Sequence, residues 1–362
     1  MIKLAVVAAL AIHGVIHGIG FAKAFGLGGL PDLSQPITRG WGAAWGAVAL
    51  VMIAAATARI GDASWWWMLA APAVVASQIA IIAAWTDAWA GTVVNVALVV
   101  PVLLAFGSWR FAARTDSEVA RFAARAPAPG AVADIVERAD LAPLPPVVAV
   151  WLERAGVVGR ARTTTVWLTQ RGELQSAPGK DWLPFRAEQW VLVREPAFLW
   201  IAHVDGKLGL DLAGRDRYLD GKGSMRIELL SLIPVVDAAG PKIDQGALVR
   251  YLAEMMWYPS AVLEPYVRWE AIDDRSARAV MRYGDVEAAG VFRFDDDGDI
   301  IGFEARRYRN DSLEDWIIEI DPASYRELDG VRIPARSTVA WRDDAGESWS
   351  WLRVEVDSLH SQ

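Results

Sequence analysis

Apolar residues dominate the first third of the chain almost without interruption, and the remainder alternates. No residue between Lys3 and Lys23 carries a formal charge, and uncharged runs return at 40–58, 63–86 and 88–109. A helix needs roughly 20 mostly apolar residues to cross a bilayer core of about 30 Å, so the four runs predict four spans. Tryptophans gather at the run ends (Trp41, Trp45, Trp65, Trp66, Trp67, Trp85, Trp89, Trp109), where an amphipathic indole suits the headgroup level. Helices of a soluble bundle would show a charged face, and these do not.

Beyond a helical segment at Val147–Ala155 the hydrophobic period shortens from about 3.6 to about 2, the mark of strands. Strands are predicted at 165–169, 188–193, 197–204, 266–272, 277–283, 287–294, 300–308, 315–320, 331–341 and 348–356. Their connectors are short and rich in Asp and Gly, such as Gly284-Asp285, Asp329-Gly330 and Asp343-Asp-Ala-Gly346, which implies an antiparallel meander. One strong helical pattern interrupts them, Gln245 to Trp257, with Leu248, Leu252, Met255 and Met256 on one face. The expected fold class is a multi-pass membrane α-helical bundle of four spans plus an α+β domain, a curved antiparallel β-sheet of eight to ten strands, half-barrel or barrel, with packed helices. Three regions follow: a four-helix transmembrane domain at 1–113, a basic amphipathic and Pro-rich linker at 114–140, and a soluble antiparallel β-rich domain at 141–362. In the linker, Arg114, Arg121 and Arg125 with Phe111, Val119 and Phe122 suit a helix lying on an anionic leaflet.

Charge sharpens this division. Of 36 basic and 44 acidic residues, only Lys3, Lys23, Arg39, Arg59 and Arg110 and Asp32, Asp62 and Asp87 precede residue 114. The acidic excess of the remainder argues against a nucleic-acid partner, since phosphate binding wants a basic face. Lys3, Arg59, Arg110, Arg114, Arg121 and Arg125 fall on one side of four spans and only Lys23 and Arg39 on the other, so both ends are expected in the cytoplasm of a protein of the cell inner (plasma) membrane. Ala22-Lys23-Ala24 also resembles a small-x-small signal cleavage site, and cleavage there would leave the side of the β domain unchanged. The absence of Cys excludes disulfides, thiolate metal sites and cysteine nucleophiles.

Within the spans the polar residues call for partners, because polar groups in hydrocarbon are costly alone. His13 and His17 lie one turn apart on a common face, and Ser77, Gln78 and Asn95 are the candidates to hydrogen-bond with them across helices. The set offers too few ligands for a metal. In the β-rich half, His203 and His360 are the only histidines, and no phosphate loop, dinucleotide fingerprint, nucleophile elbow or zinc motif is present. Asp295-Asp-Asp-Gly-Asp299 reads as a hairpin turn, lacking the twelfth-position Glu of a calcium loop. No cofactor is expected, and the sequence assigns no catalytic residues. The aromatic residues predicted on nearly every strand point instead to a concave apolar face. Its candidate ligand-binding residues are Trp257, Tyr258, Glu254, Arg250, Asp216, Tyr218, Trp200 and Trp269; Arg250 and Glu254, one turn apart, could equally be a surface ion pair.

Two stretches carry a resemblance. Asp216-x-Tyr218-x-x-Gly221-x-Gly223-x-Met225, followed by Leu248-Val-Arg-Tyr-Leu-Ala-Glu-Met-Met-Trp-Tyr-Pro-Ser-Ala-Val-Leu263, resembles an uncharacterised bacterial membrane protein family with N-terminal transmembrane helices and a C-terminal β-rich domain of unknown function. Ser77-Gln78, Trp85-x-Asp87, Gly91-Thr92 and Asn95 are similar to the last two spans of that family, which implies no activity. Asp329-Gly-Val-Arg-Ile-Pro334 with its following strands resembles the half-barrels of lipoprotein-localisation carriers, which implies fold and an apolar ligand class. The function expected is a membrane-tethered binding protein whose β domain holds a lipid or other apolar ligand next to the bilayer, with membrane lipids as partners. The alternatives are a non-catalytic assembly or sensing subunit that docks a membrane protein partner through its bundle around His13, Gln78 and Asn95, and a hydrolase-like enzyme using Asp216, Asp220 and Glu254.

Overall fold

The structure, a computed structural model, describes residues 2–27, 34–127 and 134–362. It divides into two compact units, Met1–Ala113 and Arg114–Gln362.

The first unit holds α1 (Ile2–Ala24), α2 (Arg39–Ile60), α3 (Trp66–Ala83), the single turn α4 (Trp85–Ala88) and most of α5 (Gly91–Ala123). Four of these, α1, α2, α3 and α5, are long and apolar enough to cross a membrane. Close approach of α1 and α2 rests on small residues: a Cβ on Gly14 would lie 3.1 Å from the Ala49 carbonyl oxygen, and one on Gly20 only 2.7 Å from the Trp45 ring.

The second unit begins with the last ten residues of α5, followed by α6 (Pro146–Ala155), and is dominated by strands. These are β1 (Thr165–Leu174), β2 (Leu183–Leu192), β3 (Ala197–Val204), β4 (Leu212–Leu219), β5 (Lys222–Leu229), β6 (Ile233–Ala239), β7 (Val267–Asp273), β8 (Ser276–Tyr283), β9 (Val286–Phe294), β10 (Ile300–Arg309), β11 (Ser312–Ile320), β12 (Tyr325–Leu328), β13 (Val331–Pro334), β14 (Arg336–Arg342) and β15 (Ser348–Ser361), with α7 (Pro241–Glu254) between β6 and β7. Thirteen strands form one curled antiparallel half-barrel in the order β6-β5-β4-β3-β2-β1-β15-β14-β11-β10-β9-β8-β7, and β12 and β13 form a separate hairpin. Alternation sets the two faces: on β2, Phe185, Ala187, Gln189 and Val191 are buried while Arg186 and Glu188 are exposed. At the β4–β5 turn Asp220 and Gly221 both adopt positive φ (53° and 75°), the backbone of a tight hairpin that twists with its strands.

The order of the strands determines where α7 must lie. β6 and β7 are the two edges of the sheet, and the chain passes from one to the other through α7, so the helix has to cross the concave side. It packs there against β4, β5 and β6 and against β8, β9 and β10. Leu248, Tyr251 and Leu252 are fully buried with Phe198, Phe292 and Phe303 in the main core. Asp244, at the first turn of α7, accepts hydrogen bonds from Gly223 N (2.7 Å) and Lys222 Nζ (3.1 Å), which ties the helix start to β5.

The outer face of β2–β4 is covered by the Arg114–Ala123 segment, the stretch expected to lie on a leaflet as a linker. Phe122 and Val119 pack against Trp190, Leu192, Leu199 and Ile201. Glu118 pairs with Arg215 and Arg217 at 3.3 Å each, and Arg114 and Arg125 reach Glu228 (3.2 Å) and Asp220 (2.6 Å). The Asp295–Asp299 stretch is the β9–β10 turn, where the Asp295 carboxylate accepts from the backbone N–H of Asp297 and Asp299. The Asp299 carboxylate accepts from Arg154 of α6 (3.0 Å) and from Arg332 of β13, pinning both elements to the sheet.

Candidate functional site

Where α7 faces the sheet interior, its side chains meet a polar cluster instead of more core. Arg250 donates from Nη1 to the Asp216 carboxylate on β4 (2.8 Å), from Nε to Glu254 one turn later (2.7 Å), and from Nη2 to the Gln189 side-chain oxygen on β2 (3.0 Å). Gln189 in turn donates to Glu254 (2.6 Å). The guanidinium stands over the rings of Phe198 and Trp200, 4.7 and 5.0 Å from their centroids, and Trp200 donates its indole N–H to Gln170 (2.8 Å). Asp216 and Glu254 are buried, and 13% of the Arg250 side chain remains exposed. Burial by itself would lower the Arg250 pKa, but the charges of Glu254 and Asp216 outweigh it and hold the group above its ordinary value.

A second guanidinium shares this interior on different terms. Arg307, on β10, lies 4.6 Å from the Trp316 ring and 5.8 Å from the Trp341 ring. Gly246 of α7 makes room for it, since a Cβ there would lie 3.2 Å from the Arg307 Nε. Among the described residues no group forms a hydrogen bond or ion pair with the Arg307 guanidinium, and the residue is partly exposed. Burial lowers its pKa to about 10, with the Asp216 and Glu254 charges opposing the fall and the Arg250 charge adding to it. Arg309, two residues on, stacks over Trp349 (4.7 Å) and pairs with Glu314 (3.2 Å).

The apolar wall is incompletely closed beside this cluster. Leu174 lies opposite both Leu183 and Leu352, Leu212 opposite Leu229, and Trp341 opposite Trp349. Leu174, Leu183, Leu212, Trp349 and Leu352 are only partly buried against the main core, and Ile233 at the start of β6 is 57% exposed. The concave side therefore carries half-exposed apolar side chains as well as Arg250, Asp216, Glu254 and Arg307. By contrast, a solvent-facing groove of about 550 Å³ across β2, β1, β15 and β14 is lined by Arg171, Arg336, Asp321 and Glu355. These pair among themselves, Arg171 with Glu355 (3.1 Å) and Arg336 with Asp321 (2.7 Å).

The residues singled out in the sequence thus divide into two groups. Arg250, Glu254, Asp216 and Trp200 converge on one cluster. Trp257, Tyr258, Tyr218 and Trp269 sit in the packed core: Trp257 donates to the Pro334 carbonyl (3.1 Å), Tyr258 to the Tyr251 carbonyl (3.2 Å) and Trp269 to the Val262 carbonyl (3.4 Å). The Tyr218 hydroxyl is buried with no partner among the described residues, and burial raises its pKa. Gln189, Gln170 and Arg307 were not anticipated. For Arg307 a signal existed, the Phe303-x-Ala305-x-Arg307-x-Arg309 alternation on β10.

In the first unit, His13, His17, Gln78 and Asn95 also come together. The Nε2 of His17 lies 2.7 Å from Ser77 Oγ, and that of His13 lies 3.1 Å from both Ser77 Oγ and Asn95 Oδ1. Asn95 donates to Gln78 Oε1 (3.0 Å), which places all four residues in one network. Among the described residues no group of three or more His, Asp or Glu side chains is placed to hold a metal ion.

Three solved structures are similar to parts of this chain. A domain from Vibrio parahaemolyticus assigned to outer-membrane lipoprotein sorting is 12% identical, covering 59% of this chain and 92% of its own, with a TM-score of 0.35. A DUF1329 family protein from Desulfovibrio piger is 8% identical, covering 61% of this chain and 93% of its own, with a TM-score of 0.36. A β-barrel-like DUF1849 protein from Brucella abortus is 12% identical, covering 56% of this chain and 99% of its own, with a TM-score of 0.17. No curated protein matches the chain. Residues 134–354, which contain the Arg250 cluster and these apolar side chains, match a family of unknown function, and the chain belongs to that family, DUF6544.

Proposed function

We propose that the protein is a membrane-tethered binding protein whose half-barrel holds a single-chain amphiphile with an anionic head, drawn from or returned to the adjacent bilayer. The observation that carries this reading is Arg307: a partly exposed guanidinium without a carboxylate bonded to it, on the concave face that also carries half-exposed apolar side chains. A buried cation without a partner is costly, and an anionic head seated there would gain a charge-assisted hydrogen bond in a medium of low dielectric. Leu174, Leu183, Leu212, Trp349 and Leu352 would take the chain, and the Arg250 network would keep the floor rigid. The four apolar helices supply the tether. The excess of Lys and Arg on one side of the spans supports a half-barrel on the cytoplasmic face of the inner membrane.

The test uses the full-length protein in nanodiscs containing a trace of a fatty acid with a photoactivatable group near its chain end. After irradiation and proteolysis, adducts are expected on β1, β2, β4 or β15 around Leu174, Leu212 and Leu352. Arg307→Gln should lower their yield at least fivefold for the free acid while leaving the yield for the methyl ester unchanged. Adducts confined to residues before 114, or equal labelling by acid and ester, would sink the reading.

A further inference from the structure

At one end of β3–β6 the half-barrel presents an apolar lip made of two adjoining connections. The β3–β4 connection carries Leu208, 100% exposed, and Leu210 at 51%, while β6 opens with Ile233 at 57% and Val235 at 53%. The connections are fastened together: Leu230 donates its backbone N–H to the Asp211 carbonyl (2.7 Å), and Leu229 lies opposite both Leu212 and Ile233. Each is also closed on itself. Gly206 donates to the Asp211 carboxylate (2.9 Å), and a Cβ on it would lie 1.8 Å from the Leu210 carbonyl oxygen. Leu230 and Ser231 make the turn between β5 and β6, closed by the Leu232 N–H on the Leu229 carbonyl (3.0 Å). Of the described non-glycine residues with positive φ, four are Asp or Asn, which tolerate that conformation, and the only leucines are Leu208 (55°) and Leu230 (54°). Both tips thus keep an apolar side chain where Asn or Gly would relieve the backbone.

The direction of α5 tells what covers this lip. The helix is continuous from Gly91 to Ala123, and its uncharged run ends at Trp109. Beyond the run, Arg114 reaches Glu228 near the end of β5, Glu118 reaches Arg215 and Arg217 in the middle of β4, and Arg125 reaches Asp220 in the β4–β5 turn. Moving away from the apolar run is therefore moving from the Glu228 end of these strands to the Asp220 end, and the lip continues β5 in the opposite sense. Arg114 comes about 7 Å of helix rise after Trp109, and Leu230 about 7 Å of strand after Glu228.

We propose that Leu208, Leu210, Ile233 and Val235 seat this end of the half-barrel in the surface of the bilayer that the apolar helices cross, the two matching distances bringing the lip to headgroup level. Its exposed apolar side chains are Leu, Ile and Val, without the aromatic and Arg anchors of a protein interface, and Pro234, which has no N–H, opposes strand addition along the β6 edge. The proposal rests on the helices spanning a membrane and not on the bound amphiphile, so either reading can fail while the other stands.

The chain has no Cys, so one introduced thiol reports one position. Leu208→Cys, Ile233→Cys and, at the far end of β5, Lys222→Cys are each spin-labelled in the full-length protein in phosphatidylcholine nanodiscs. Collision rates are measured with oxygen, which concentrates in lipid, and with a nickel chelate, which stays in water. For side chains seated roughly 5–10 Å deep, oxygen should exceed the chelate about threefold at 208 and 233, and the order should reverse at 222. Adding Leu210→Ser and Val235→Ser to Leu208→Cys should draw the 208 label back toward water, since the lip and not the label holds it in the bilayer. An excess of the chelate at both 208 and 233, a 208 label shielded from both reagents as in contact with a second copy of the chain, or a label unmoved by the two serines would overturn the proposal.

Discussion

The two halves of this molecule each bury a polar cluster, and they build it from different chemistry. In the half-barrel the cluster is ionic: one guanidinium shared by two carboxylates and an amide, with a second guanidinium close by. In the helical unit it is made of groups that satisfy one another while neutral, two imidazoles, a hydroxyl and two amides. The difference matches the composition of the two units. Around the guanidiniums of the half-barrel lie partner charges that make a buried ion tolerable, whereas helices apolar enough to cross a membrane would leave a lone charge only the protein to compensate it. Each cluster also has polar groups without a hydrogen-bond partner among the described residues, the Arg307 guanidinium near one and the Nδ1 atoms of His13 and His17 in the other.

The largest expected effect comes from breaking the ionic cluster at its centre. Arg250→Met removes the partner of two buried carboxylates at once, and breaking a buried pair by removing one member typically costs about 3–5 kcal/mol. Urea unfolding of the full-length protein, followed by hydrogen exchange of the β3 and β4 amides, should show that loss. If the triple change Arg250→Met, Asp216→Asn, Glu254→Gln recovered none of it, the stranded carboxylates would not be its cause. The corresponding change in the bundle is Ser77→Ala, which deletes the hydroxyl bridging His13, His17 and Asn95. Hydrogen bonds between spans are worth roughly 0.6–1.7 kcal/mol, so the variant should stay assembled and lose stability within that range in mild detergent. A loss as large as that of Arg250→Met would erase the contrast between the two clusters.

How much of this was legible beforehand depends on which physical signal each part rests on. The four long apolar helices come from hydropathy summed over about 20 residues, and the partners of His13 and His17 could be named because few polar residues lie in those runs. β4 illustrates the opposite case. Its inward residues are Leu212, Gly214, Asp216 and Tyr218, while outward Arg215 and Arg217 are covered by α5 through Glu118. An inward carboxylate and a glycine break the apolar alternation, so the stretch reads as a polar turn until its cross-strand partners are known, and β5 and β6 are lost with it. Arg250, Glu254 and Asp216 could be suspected from helix spacing and charge density, but no local pattern says that Arg250 rather than solvent neutralises Asp216. Arg306 and Arg307 are a still harder pair: the first is exposed and bonded to Asp315 (3.1 Å), the second turns inward, and only strand parity distinguishes them.

That parity yields the smallest and most discriminating effect. Arg307 lacks an anion of its own, and its charge is offset only by the surplus that Asp216 and Glu254 hold over Arg250. Replacing it with Met removes a desolvated cation and keeps a side chain able to pack on Trp316, so the protein should become slightly more stable, by about 0.5–1 kcal/mol near neutral pH, while losing the anionic amphiphile. The sign with pH follows from linkage. The folded-state pKa of about 10 lies below the ordinary arginine value, so between the two values the unfolded chain binds the extra proton and stability rises with pH. Above pH 10 the unaltered protein should therefore gain on Arg307→Met, and the difference between their unfolding midpoints should narrow. A difference that stays constant from pH 7 to beyond pH 10, or a variant less stable than the parent throughout, would mean that Arg307 is already satisfied within the fold and that the half-barrel has no vacant charge to offer a ligand.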